Sequence, residues 1–172
     1  VIDLSRLESG KMQFKFNECH IVALCRNVID MVEKIKQTQA EVRFSTSLSS
    51  LKLTTDSARL QQVLINLLIN ATKFTAQGTI TLELVKQTED TALFSVSDTG
   101  CGISKENQNK IFNRFEKLDE NAQGTGLGLS ICQLIIEQLG GKIWIDPDYD
   151  KGARFLFTHP ICHAQIKKEE TR

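Results

Sequence analysis

Ser57-Ala58-Arg59-Leu60-Gln61-Gln62-Val63-Leu64-Ile65-Asn66-Leu67-Leu68-Ile69-Asn70-Ala71-Thr72-Lys73-Phe74 reads as one long amphipathic helix. Advanced by about 100° per residue, it lays Leu60, Val63, Leu64, Leu67, Leu68, Ala71 and Phe74 on one broad apolar face. Asp56 stands where an N-cap is wanted. Asn66, Asn70 and Lys73, spaced i, i+4 and i+7, form a narrow polar stripe beside that face. Two amides and an ammonium in a row suit a phosphate–Mg²⁺ group. An amide oxygen is a hard neutral ligand for Mg²⁺, and the ammonium is a point charge for phosphates. Taken alone, the stripe fits a solvated polar face better.

Strand and helix signals alternate outward from this helix. On its N-terminal side, Met12, Phe14 and Phe16 alternate with polar residues as in a strand. Ile21, Leu24, Cys25, Val28, Val32 and Ile35 recur at helical spacing, Val42, Phe44 and Thr46 alternate again, and Leu51–Leu53 reads as a short partner strand. On its C-terminal side, Ile80, Leu82 and Leu84 share one strand face, and Phe94, Val96 and Asp98 share the next. The short gap at Glu89-Asp90 predicts an antiparallel pair. Asn107–Phe115 is expected to be a short helix and residues 116–126 a polar, Gly-bearing loop. Leu127–Leu139 is expected to be a helix closed by Gly140-Gly141, followed by a hairpin of Ile143–Ile145 and Phe155–Phe157 around Pro147–Gly152. The predicted class is α+β: a two-layer sandwich with a mixed, mostly antiparallel sheet and helices on one face.

Composition narrows the function classes. The 172 residues correspond to about one domain. Lys plus Arg is 21 and Asp plus Glu is 21, so the formal net charge is zero. That balance argues against nucleic acid as a partner. No apolar run approaches the roughly 18 residues of a membrane span. The five cysteines include no C-x-x-C pair and read as reduced thiols. Cys162, His163 and His159 lie close together, but no second ligand pair stands at a fitting distance for a metal.

Two further segments carry chemistry. Asp98-Thr99-Gly100-Cys101-Gly102 follows an apolar strand face, so the Asp98 carboxylate is expected to be largely buried and to need donors. An adenine amino group is one; guanine presents an acceptor there instead. Gly100 and Gly102 let a base approach the backbone. Gly124-Thr125-Gly126-Leu127-Gly128-Leu129 enters a helix, whose free N–H groups and positive dipole end suit phosphate. No strand precedes this turn, which disfavours a dinucleotide fold, and no Gly-Lys-Ser/Thr follows, which excludes a P-loop.

Together these segments resemble the ATP-binding catalytic domain of sensor histidine kinases, within the gyrase–Hsp90–histidine kinase–MutL superfamily. Asn66–Thr75 is similar to the family's N box, Asp98–Ile103 to its G1 box, Ile111-Phe112-Asn113-Arg114-Phe115-Glu116-Lys117 to its F box, and Gly124–Leu129 to its G2 box. Four motifs in the family's order cover about residues 16–160. Asp150-Lys151-Gly152 departs from the Gly-x-Gly often found in the closing hairpin.

The resemblance implies a Bergerat-type fold, ATP and Mg²⁺ as cofactors, and roles for individual residues. Asn70 would hold Mg²⁺ with Asn66 beside it, and Lys73 would touch the phosphates; these three are the implied catalytic residues. Asp98 would accept from the adenine amino group. Phe74, Gly100, Gly102, Ile103, Phe115 and Gly124, Thr125, Gly126, Leu127, Gly128 and Leu129 would complete the nucleotide site. Lys117 would reach the γ-phosphate, residues 116–126 would form a lid, and Phe112 and Phe115 would anchor its base.

The implied activity is transfer of the ATP γ-phosphoryl group to a histidine. Residues 1–10, with Asp3–Lys11 similar to the end of the family's second dimerisation helix, would close a phosphoacceptor hairpin. Residues 11–160 would be the catalytic domain and 161–172 a solvated tail. The family's acceptor histidine precedes a proline by five residues. Neither Pro147 nor Pro160 stands so relative to His20, His159 or His163, so the acceptor helix is expected outside this chain. The implied partners are that hairpin and a response-regulator receiver domain, in a homodimeric full-length protein whose catalytic part is cytoplasmic and whose membrane anchoring is left open. The alternatives are a hydrolytic ATPase or clamp of the same superfamily, which wants a glutamate base where Asn66 stands, and a nucleotide-binding pseudokinase.

Overall fold

The structure is a computed structural model, and it describes residues 13–113 and 128–161. The long helix is α2, Ser57–Phe74, and Asp56 caps it: Oδ1 accepts from the Arg59 amide at 3.2 Å. Its apolar face is in the core, with Leu60, Val63, Leu64, Leu67 and Leu68 wholly buried. The other elements are β1 (Asn17–His20), α1 (Ile21–Ile35), β2 (Glu41–Thr46), β3 (Lys52–Thr55), β4 (Thr79–Thr88), β5 (Thr91–Asp98), α3 (Lys105–Gln108), α4 (Gly128–Gln138), β6 (Ile143–Ile145) and β7 (Arg154–Pro160).

The main sheet has the order β2-β4-β5-β7-β6. Strand β2 runs parallel to β4, with Val42 opposite Ile80, and the other three pairings are antiparallel. A parallel neighbour needs a long crossover, and the β3–α2 segment supplies it. Buried residues alternate along β4 and β7, which is the pattern of a sheet covered on one face. Leu84, Phe94 and Phe157 stand abreast on that face, and the two phenyl rings stack at 4.5 Å between centroids. Helix α1 lies against β2, α2 against β4 and β5, and α4 against β6 and β7. The architecture is the expected α+β sandwich with a mixed, mostly antiparallel sheet.

Three local expectations are corrected. The strand expected on Met12, Phe14 and Phe16 is absent from residues 13–16, and β1 begins at Asn17. The Lys15 amide donates to Asp56 Oδ2 at 2.9 Å instead of to a ladder, and Phe14 lies stacked on Phe16 and under the Arg59 guanidinium. Of the alternating residues Phe14 packs against the core while Phe16 is half exposed, so alternation there marked no backbone pairing. Strand β3 pairs with β1, Leu53 opposite Cys19, as a separate two-stranded sheet, so it is no partner of β2. Of the helix expected over 107–115, the described residues up to 113 hold only the end of the single turn α3. Ser104 caps it by accepting from the Asn107 amide, and the chain then turns through Asn109–Asn113. The expectations for residues 1–12, 114–127 and 162–172 lie outside the described residues.

Candidate functional site

Asp98 ends β5 with its side chain on the core face, 3% exposed. Burial pushes its carboxyl pKa up, while the Gly100 and Ala153 amides oppose that shift by donating to Oδ1 at 2.9 and 3.1 Å. Both bonds fall on the same oxygen. The Thr75 hydroxyl is wholly buried and, among the described residues, has no hydrogen-bond partner. It lies close enough to the carboxyl to help hold its pKa down. A buried carboxylate and a buried hydroxyl stand side by side here, and a buried polar group is costly without a partner.

Two backbone segments clamp this point. A Cβ on Gly100 would lie 2.1 Å from the Phe74 carbonyl oxygen, and the Cys101 amide donates to that same oxygen at 3.2 Å. The loop after β5 is thereby tied to the C-terminal end of α2. From the other side, Gly152 sits against the Asp98 main chain, so the β6–β7 turn closes over the carboxyl. Phe74, Gly100 and Gly102 of the predicted nucleotide set are brought together here. Thr75, Gly152, Ala153 and Tyr149 also belong to this cluster, and the sequence reading assigned them no role. A glycine in a turn was the visible signal for Gly152; the others are placed by tertiary contacts alone.

Asn66, Asn70 and Lys73 occupy successive turns of α2, with the two amides half-buried and Lys73 exposed. Asn66 stands beside the Cys132 thiol of α4, which donates to the Val63 carbonyl at 3.9 Å and which burial pushes up to about 12. Lys73 stands at the lip of an open groove between the ends of α1 and α2, bordered by Ile35, Thr38, Ile69 and Thr72, with a volume of about 1310 Å³. That groove includes neither Asn70 nor Asp98. The stripe therefore fans out from the α2–α4 contact at one end to open solvent at the other.

Ile103 packs partly into the core, and its carbonyl accepts from Gln108 Nε2 at 2.9 Å. Phe112 meets Phe155 edge-to-face at 6.2 Å between centroids, so it serves as core. Gly128 is exposed at the start of α4, and Leu129 is packed partly against the core. Phe115, Lys117, Gly124, Thr125, Gly126 and Leu127 lie outside the described residues. His159 is 1% exposed and uses both ring nitrogens within the fold, at 2.8 Å to the Pro160 carbonyl and 2.9 Å to the Thr55 hydroxyl. Among the described residues no cluster of three His, Cys, Asp or Glu side chains could hold a metal. No helix of the described residues is long and apolar enough to cross a membrane.

A family model described as the histidine kinase-, DNA gyrase B-, and HSP90-like ATPase matches residues 55–162. The chain is 31% identical over 166 residues to the adaptive-response sensory kinase SasA of Rippkaea orientalis, covering 94% of this chain and 42% of SasA. Full-length ShkA in complex with AMPPNP is similar with a TM-score of 0.83 at 28% identity, covering 92% of this chain and 34% of that one. The nucleotide-free catalytic domain of the histidine kinase ThkA is similar with a TM-score of 0.75 at 35% identity, covering 86% of this chain and 99% of that one. ThkA in complex with the response regulator TrrA gives a TM-score of 0.74 at 33% identity, covering 92% of this chain and 48% of that one. This chain belongs to the histidine kinase-, DNA gyrase B- and HSP90-like ATPase family, as an ATP-binding catalytic domain of the histidine kinase kind. It spans less than half the length of the curated relatives it matches.

Proposed function

We propose that this chain binds Mg²⁺-ATP and, within a longer protein, transfers the γ-phosphoryl group to a histidine on a helix that this chain does not contain. The observation that carries the reading is the Asp98 corner. Its carboxylate is buried, holds two amides on one oxygen and lies beside an orphaned Thr75 hydroxyl. An adenine edge has an amino donor and a ring-nitrogen acceptor side by side, which complements that pair. Guanine presents a carbonyl where the amino group is wanted, and would leave the carboxylate unpaired. The missing side chains at Gly100 and Gly102 admit the Phe74 carbonyl and the Gly152 main chain, which fixes the loop beside Asp98.

The remaining roles follow the polar stripe. Asn70 would hold Mg²⁺ and Lys73 would meet the phosphates, with Asn66 beside them. The donor chemistry fits: an amide oxygen is a hard ligand, and Mg²⁺ keeps waters and takes phosphate oxygens to complete its shell. When bound, the ion supplies charge neutralisation on the phosphates. Gly124, Thr125, Gly126, Leu127, Gly128 and Leu129 would cradle the phosphates at the entry to α4, and Lys117 would reach the γ-phosphate. In the transfer, an imidazole nitrogen forms a P–N bond as the bond from phosphorus to the ADP oxygen breaks. Catalysis is then mainly positioning and charge stabilisation.

Residues 1–10 as the end of an acceptor hairpin, 11–160 as the catalytic domain and 161–172 as a tail are part of the same reading. So are a homodimeric full-length protein, a response regulator as phosphoryl acceptor, and a catalytic part that works in the cytoplasm. Hydrolysis is disfavoured because a neutral amide, Asn66, stands where a carboxylate base would be needed. Calorimetry with ATP and GTP in Mg²⁺ buffer tests the binding half; equal affinities would remove the adenine reading. Radiolabelled ATP with a supplied acceptor hairpin tests the transfer half: acid-labile label on the hairpin is expected, and none on this chain alone.

A further inference from the structure

Strands β5 and β7 pair with Val96 opposite Phe155 and Ser97 opposite Arg154. One step further, that register sets Asp98 opposite Ala153. The Asp98 amide donates to the Ala153 carbonyl at 2.9 Å, so this is a hydrogen-bonded pair. In such a pair the two residues exchange both bonds, and the Ala153 amide should return its bond to the Asp98 carbonyl. It does not. It donates to the Asp98 carboxylate Oδ1 instead. The carbonyl so deprived is met by the Tyr149 hydroxyl, which donates to it at 3.1 Å.

We propose that Tyr149 is a positioning residue for Asp98: by occupying the Asp98 carbonyl it leaves the Ala153 amide on the carboxylate, and so sets the carboxylate for nucleotide recognition. Without the hydroxyl, the carbonyl loses the donor it has, and the Ala153 amide is the donor that the strand register would return to it. The carboxylate then keeps only the Gly100 amide. Tyr149 is itself held. The Arg154 guanidinium lies 4.2 Å over its ring, and Arg154 is fixed by Ser97 Oγ at 2.8 Å and Asp146 at 3.7 Å. The nucleotide half of the proposal rests on the adenine reading of Asp98.

The test uses the whole 172-residue chain and Tyr149→Phe, which keeps the ring beneath Arg154 and removes only the hydroxyl. Thermal melting first establishes that the variant folds. The first readout, by carbon NMR without nucleotide, is the titration of the Asp98 carboxyl, expected to move to higher pH as one amide donor is lost. The second is Mg²⁺-ATP against Mg²⁺-GTP affinity, with ATP binding about five-fold weaker, the worth of roughly one hydrogen bond, and the preference for ATP narrowed. The third is the double variant with Asp98→Asn, in which Tyr149→Phe adds no further loss of preference; a merely structural tyrosine would act additively. An unmoved Asp98 titration overturns the proposal whatever the nucleotide data. A moved titration with ATP preference intact in both single variants overturns the adenine reading, and the recognition role of Tyr149 with it.

Discussion

A methyl group on Gly152 would lie 2.2 Å from the Asp98 carbonyl oxygen and 2.6 Å from Asp98 Oδ1. Neither oxygen can retreat easily, since the carbonyl belongs to a paired strand and Oδ1 holds two amides. Gly152→Ala is therefore expected to destabilise the fold by about 1–3 kcal/mol, the usual cost of overpacking, and to abolish adenine-nucleotide binding. Denaturant melts and nucleotide titration measure both.

Gly128→Ala is the informative contrast. Among the described residues nothing lies within 4 Å of a Cβ there, and Gly128 begins a helix. Stability should be unchanged or higher by up to about 1 kcal/mol, because alanine loses less backbone entropy. A drop in nucleotide affinity with unchanged melting would then report on phosphate contacts at this position. A drop in stability would contradict the open space.

Asp98→Asn separates the ligand from the fold. Burial raises the Asp98 carboxyl above its ordinary 3.8. A folded pKa above the unfolded one means that stability is greatest below the unfolded value and is lost as pH rises through the folded value. The neutral amide removes that loss, and its oxygen can still accept from Gly100 and Ala153. The variant should be as stable as the parent near pH 3.8 and more stable at pH 7, while its preference for ATP falls. Urea midpoints across that range, paired with ATP and GTP titrations, check it.

His159 gives the opposite slope. The Pro160 carbonyl can only accept, so Nδ1 carries the proton, and Nε2 accepts from the Thr55 hydroxyl. Burial lowers the His159 pKa below 6.5. The stability tied to neutral His159 is present above pH 6.5 and is lost as pH falls through the folded value. Urea midpoints should fall between pH 7.5 and 5, and His159→Gln, which can still donate and accept, should flatten that fall.

Thiol reactivity should follow burial. Cys25 and Cys132 are buried and pushed up to about 12, which leaves almost no thiolate at pH 8. Cys101 is exposed in the loop after β5. Mass spectrometry after brief alkylation should find label on Cys101 and none on Cys25 or Cys132 until denaturant is added.

What the sequence by itself determined is what repeats locally. The face of α2, its Asp56 cap, the alternation of β4 and β5 and the burial of Asp98 are all written in neighbouring residues. A 3.6-residue or 2-residue period needs no distant partner to be read. The order of Asn66–Thr75, Asp98–Ile103 and the segments after them was equally legible, and with it the family. The same period misled at Phe14 and Phe16, where alternation came without strand pairing and Phe16 stayed half exposed. Tertiary structure alone decided the rest. The Ala153 amide on Asp98 comes from 55 residues away, and its choice of carboxylate over carbonyl depends on the Tyr149 hydroxyl. Strand β2 joins β4 in parallel because α2 carries the chain back across the sheet, and β3 turns aside to β1. The Cys132 thiol of α4 donates to the Val63 carbonyl of α2, and among the described residues Thr75 keeps an unpaired hydroxyl beside Asp98. Each is a hydrogen bond made or withheld between segments far apart in the chain. Backbone groups choose partners by proximity once packing has brought the segments together, and no local pattern encodes that choice.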